Sequence, residues 1–283
     1  MPVSTQPASA WTRIPVAVRA VAVGFVLGMA AANVWSALLR TSGALIAACL
    51  EILFLWIYVA WAAGGGPPRR LRGIRADCFR VGKLSARKWF WGSIAALSFA
   101  AVVHASIVLL FRFVPFPAAS FHNGYDLSLI HSRSLQWLVC VVSALSAGVC
   151  EETGFRGYMQ RPIELRHGPA IAILISSLFF TLVHLTKDWA LIGMVPIVFA
   201  AGVLLGALAH ASGTLVFCMI GHTVMDVGLF AYWWTQIAGT FAQRPISASG
   251  IDPAFFIEGA AFLLLLVVTL ASVVQLRKLR DSA

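Results

Sequence analysis

The stretch LQWLVCVVSALSAGVCEETGFRGYMQR (Leu135–Arg161) decides how the whole chain is read. From Leu135 to Cys150 it carries no charge. At 1.5 Å of rise per residue, an α-helix continued a turn or two further crosses a bilayer core of ~30 Å. Two adjacent acids, Glu151 and Glu152, interrupt the oil. An ionisable side chain within hydrocarbon costs about 2.5–3.5 kcal/mol on insertion scales. Such a pair therefore demands partners from elsewhere in the sequence.

The rest of the chain repeats the apolar theme. Of its 283 residues 60% are hydrophobic and 11% charged, against roughly 25% charged in soluble domains. Continuous apolar runs predict about eight transmembrane helices, near residues 15–38, 43–63, 89–111, 135–157, 170–186, 190–209, 214–235 and 253–275. The runs do not alternate as the strands of a membrane β-barrel do. The expected fold class is an all-α polytopic membrane helix bundle. A loose tail at residues 1–12 precedes a single transmembrane domain at 13–283, and no internal repeat suggests duplicated halves.

The net charge of +10 is sorted by side of the membrane. With the N-terminus inside, Arg13, Arg19, the eight basic residues from Arg69 to Lys88, Arg156, Arg161, Arg166, Arg277, Lys278 and Arg280 fall on one side. Arg40, Arg112, Arg133, Lys187 and Arg244 fall on the other. Sixteen against five follows the positive-inside rule and predicts cytoplasmic N- and C-termini. The basic loops are expected to meet anionic lipid head groups. No nucleic-acid partner is implied, because no basic face alternates with exposed aromatics. The run from Arg69 to Lys88 reads as a solvated loop with at most a short interfacial helix. Gly168-Pro169 should end one helix and start the next. The five cysteines show no metal or disulfide spacing.

Eight ionisable groups fall within spans: Glu51, His104, Glu151, Glu152, His184, His222, Asp226 and Glu258. Glu51 and His104 are isolated and read as helix-packing residues; Glu258 lies close enough to a loop to reach water. The others sort by geometry. Residues four apart share a helix face, so Arg156 can clamp Glu152 as an ion. Glu151 is turned by about 100° and lacks that cation, as a general base tuned by desolvation would. The helices before and after Gly168 form a hairpin. Residues equidistant from its turn stand at equal height, which sets His184 opposite Glu151, with Phe180 one turn before it as a wall against water. In span seven His222 and Asp226 are again four apart. Either Asp226 orients the imidazole, or both donate to a developing oxyanion.

EETGFR (Glu151–Arg156), FTLVH (Phe180–His184) and HTVMD (His222–Asp226) match EExxxR, FxxxH and HxxxN/D in that order on successive spans. The set resembles the signature of the CAAX protease and bacteriocin-processing (CPBP, or Abi) family of intramembrane proteases, over about residues 135–235. The resemblance implies a bundle of about eight helices around a cavity open to one side of the bilayer. It implies hydrolysis of a peptide bond in a membrane-associated substrate, and placement in a bacterial inner membrane. Carried over, Glu151 with His184 activates water, His222 and residue 226 stabilise the oxyanion, and Glu152 and Arg156 support them. The eukaryotic branch has asparagine where this chain has Asp226. A carboxylate donates a hydrogen bond only when protonated, so the His222-orienting reading is favoured and a prenylated CaaX substrate less so.

Glutamyl-type chemistry needs no cofactor and is favoured. The alternative metalloprotease reading would place zinc on Glu151, His184 and His222 with an open position, although no HExxH pairs two histidines on one helix. Two other classes remain in view. One is a non-catalytic immunity or adaptor membrane protein built on the same buried network. The other is a proton-coupled transporter.

Overall fold

A computed structural model describes residues 10–122, 127–188 and 193–282. Of the expected loose tail, residues 1–9 lie outside the described residues. The remainder enters a helical turn, α1 (Ala10–Arg13), where loose chain was expected. α2 (Val16–Ser42) and α3 (Ala44–Ala62) form the first hairpin. The basic loop then holds one short helix, α4 (Arg72–Cys78). α5 (Ala86–Phe113) returns across the membrane to α6 (Ala118–His122). The chain continues through α7 (Arg133–Glu152), a π-helical stretch at Thr153–Met159, and α8 (Gln160–His167). α9 (Pro169–His184) and α10 (Val195–Ser212) precede α11 (Val216–Gly228), which passes into a second π stretch at Leu229–Trp234. α12 (Ile246–Ser249) is a single turn, and α13 (Pro253–Asp281) is the last crossing.

Seven of these segments are long and apolar enough to span a membrane, with Arg133–His167 counted as one. The eighth expected span, α9, has 16 residues. At about 24 Å it is too short to cross alone. No strand occurs among the described residues. Leu45, Ile52, Trp56 and Ile57 on α3 and Phe256, Ile257, Leu263, Leu264 and Val267 on α13 are exposed. Lipid satisfies apolar side chains as well as a core does, so such faces are what a membrane helix presents outward.

Turns follow their local chemistry. Gly168 ends α8 at φ 85° and Pro169 opens α9, and Gly213 ends α10 in the left-handed region at φ 71°. Between helices, small residues allow backbones to touch. Gly24 and Gly28 on α2 form a GxxxG face against Gly154 in the first π stretch. A Cβ on Gly154 would stand 2.5 Å from Gly24 O and from Gly28 Cα. α2 thus rests directly on the π stretch. α5 and α13 pack along their length, and Thr269 donates to Ser98 Oγ across them at 2.8 Å.

The basic loop departs from the solvated reading. Arg75 is buried, donates to the carbonyls of Gly65, Gly66 and Pro67, and lies over the Trp61 ring at 4.9 Å. Arg80 reaches Glu164 Oε2 on α8 at 2.6 Å. On that carboxylate's other oxygen His210 of α10 makes a 2.7 Å contact, and Arg280 of α13 meets His210 Nε2 at 2.8 Å. This cluster closes one end of the bundle. At the opposite end Arg112 of α5 holds Asp252 at 2.7 Å and faces Glu258 at 3.8 Å. Glu258, expected to reach water, is instead drawn to Arg112 and to the Gln243 amide at 2.6 Å.

Candidate active site

The first π stretch begins directly after Glu152. Such i→i+5 turns are rare and recur at functional sites, because they widen the helix and re-aim neighbouring side chains. Here the Glu152–Arg156 pair still closes, at 2.8 Å between Arg156 Nη1 and Oε1, with both side chains fully buried. The same Oε1 lies 2.7 Å from His222 Nδ1 on α11. Arg156 extends the cluster by donating to Gly202 O of α10 at 3.2 Å. Its guanidinium lies 4.3 Å from the centroid of the Phe180 ring. One carboxylate therefore joins α7, α10 and α11, and Phe180 brings in α9.

Phe180 packs against both histidines. Its ring centroid is 4.7 Å from that of His184, 5.5 Å from Phe155 and 5.8 Å from His222. His184 Nδ1 is 2.7 Å from Phe180 O. A carbonyl only accepts, so the proton is on Nδ1, and in the neutral ring Nε2 keeps its lone pair.

Above this layer opens a cavity of ≈ 390 Å³. Glu151, Phe180, His184, His222 and Asp226 all line it, along with Lys187, Asn33, Ser143 and Met225. Glu151 differs from its neighbour in its bonding. Among the described residues no hydrogen bond or ion pair reaches its carboxyl, and Oε2 is buried without a partner. The equal-height reading of the hairpin thus delivers Glu151 and His184 to one cavity despite the π stretch. His222 Nε2 is 3.5 Å from Asp226 Oδ2.

One assignment changes. The sequence offered Asp226 as the carboxylate that orients His222, but the shorter contact, on Nδ1, belongs to Glu152. Asp226 instead flanks the nitrogen that faces the cavity. No sequence signal could have paired Glu152 with a histidine seventy positions on. Lys187, Asn33 and Ser143 were also missed as cavity residues, since nothing local distinguishes them from loop or packing positions.

The two isolated groups behave as packing residues. His104 accepts from Trp233 Nε1 at 3.1 Å and donates through Nε2 to Met225 O at 3.1 Å. Glu51 is buried on α3 against α7, where Ser146 donates to it at 2.6 Å. Among the described residues no group of three or more His, Cys, Asp or Glu side chains is arranged to hold a metal ion. Of the zinc set Glu151, His184 and His222, both histidines commit Nδ1, to Glu152 and to a carbonyl, which is also how a histidine that ligates through Nε2 is oriented. No step below is routed through a metal.

EExxxR, FxxxH and HxxxD meet around one cavity, which is what the resemblance implied. Residues 133–228 match a family model described as type II CAAX prenyl endopeptidase Rce1-like. The segment is Rce1-like. It covers about a third of the chain and holds all seven motif residues, Phe180 included, singled out from the sequence. Comparisons with curated proteins and with solved structures give no match. The segment is thus similar to membrane proteases of the CAAX type, and the seven long apolar helices are those of an integral membrane protein.

Proposed function

We propose that the chain is a glutamyl-type intramembrane endopeptidase that hydrolyses a peptide bond of a membrane-associated substrate. The observation that carries this reading is the state of Glu151. It lines a cavity large enough for a short peptide segment, and its carboxyl is free of hydrogen bonds and ion pairs among the described residues.

A water held between Glu151 and His184 Nε2 meets two acceptors, one for each of its protons. Its lone pair is then aimed at a carbonyl carbon in the cavity. Glu151 takes one proton as water attacks, and passes it to the amine that leaves. The oxyanion of the tetrahedral intermediate takes a hydrogen bond from the proton held between His222 Nε2 and Asp226. Glu152 and Arg156 touch no substrate; they fix the ring of His222. Phe180 shields the attacking water.

The test uses purified protein and a peptide tethered to the bilayer. Glu151→Gln should lower hydrolysis by about 10²–10⁴-fold, the usual contribution of a general base, with unfolding temperature unchanged. Activity should survive exhaustive chelation. Loss on chelation that zinc restores would overturn the glutamyl assignment, and full activity in Glu151→Gln would overturn the site.

A further inference from the structure

The cavity has a direction, set by contacts at the two ends of the bundle. Asn33, Ser36 and Leu39 line it from the half of α2 that ends at Ser42, and Lys187 and Thr235 line it beside the loops at that same end. This is the end at which Arg112 holds Asp252. The other end is shut. Phe155, Arg156, Met159, Gln160 and Ile163 beneath the Glu152 layer are all fully buried. Gln160 donates to Gly206 O at 3.0 Å, and the Arg80–Glu164–His210–Arg280 cluster caps the whole.

The closed end is also the basic end. Its cluster draws together the loop after α4, α8, α10 and α13, so these four segments share one face by direct contact and not only by counting spans. Sixteen of the 21 Lys and Arg fall toward it and five toward the open end. A K/R excess of that size fixes the closed end in the cytoplasm.

We propose that the cavity opens to the non-cytoplasmic side of the membrane. Its substrate class is then a peptide segment presented from that side: an exported peptide, or the outer end of a membrane-anchored one. The prenylated tail of a cytoplasmic protein lies on the wrong side. The substrate class rests on the peptidase reading above; the direction of the cavity does not.

Two measurements separate them. Ser247→Cys in the open-end loop, Ser36→Cys in the cavity wall and Ser282→Cys at the closed end are each made in a Cys49→Ser background. Intact cells are treated with a membrane-impermeant maleimide. Ser247→Cys and Ser36→Cys should label at least tenfold more than the background, and Ser282→Cys only after permeabilisation. Labelling of Ser282→Cys in intact cells, alone or with Ser247→Cys, overturns the orientation. In the second arm, a degenerate mixture of acyl-anchored fluorogenic peptides is added outside intact cells. Cleavage by wild type and not by Glu151→Gln supports the substrate class, and cleavage only after permeabilisation overturns it. No cleavage in either condition counts against the peptidase reading, while the labelling still decides the direction.

Discussion

Two half-buried glutamates on one continuous transmembrane segment, Glu151 and Glu164, have opposite fates. Glu164 has both oxygens engaged, one by Arg80 and one by His210, with Arg161 3.7 Å away. Glu151 has neither engaged among the described residues and faces a cavity. Buried polar groups are normally satisfied, and a network with every member paired holds helices in register. A carboxyl left bare at a cavity keeps its acceptor capacity for something that arrives. On the function proposed above, the contrast separates a joint from a reactive group within a stretch that looks uniformly exceptional in sequence.

The strongest way to break that contrast is to exchange the losses. Glu151→Gln should remove activity and leave stability, as stated above. Glu164→Ala should do the reverse, lowering stability by about 1–3 kcal/mol for the groups it leaves unpaired while turnover at low temperature stays within a few-fold of wild type. Thermal unfolding in detergent, read beside peptide hydrolysis, checks both. If Glu164→Ala silences the enzyme while it remains folded, the division between joint and reactive group is wrong.

Glu152 belongs to both categories and should show both losses. Glu152→Gln leaves Arg156 buried without its counter-charge, and breaking a buried pair by removing one partner costs about 3–5 kcal/mol. It also frees His222 to turn. Activity measured well below the unfolding temperature should therefore fall even where the fold survives. A variant that unfolds early but turns over normally would leave Glu152 a purely structural residue.

A smaller effect is expected from Gly154→Ala. Its methyl group would meet the backbone of Gly24 and Gly28, and overpacking of this kind costs about 1–3 kcal/mol. Because the π stretch that follows Glu152 rests on that contact, the loss in activity should exceed what the stability loss explains. Equal losses would mean that α2 serves only as a packing surface.

The smallest expected effect is at the open end. The Arg112 guanidinium beside Asp252 holds its carboxyl below the usual carboxylate range. A carboxyl depressed in the folded state adds stability above its unfolded pKa, and that stability is lost as pH falls through the folded value. The difference between wild type and Asp252→Asn should thus be constant from pH 7 to about pH 5 and vanish in strong acid. Denaturation at a series of pH values reads it directly. A difference that grows on acidification would contradict the assignment.

Much of this was legible in the residues. Hydropathy placed the start of α13, expected from 253 and found at Pro253–Asp281, but ended the fourth span at 157 where the helical segment runs on to His167. Spacing alone gave the Glu152–Arg156 pair, because i,i+4 neighbours meet on any helix. The hairpin symmetry about Gly168 set His184 opposite Glu151, and both line the cavity. Less legible was the basic loop, where Arg75 and Arg80 are indistinguishable in sequence from their solvated neighbours. Burial of either depends on carbonyls or a carboxylate that other segments supply.

The sequence by itself determined the helical class, the apolar lengths, the sidedness of charge and the local pairs, since each depends on period and composition. Tertiary structure alone decided that Glu152, not Asp226, takes His222 Nδ1, that the Rce1-like segment shares a cavity with α2 and α5, and which end of it is closed. Those outcomes depend on how helices far apart in the chain rotate and slide against one another. That is set by backbone contacts such as Gly28 on Gly154, which no single segment encodes.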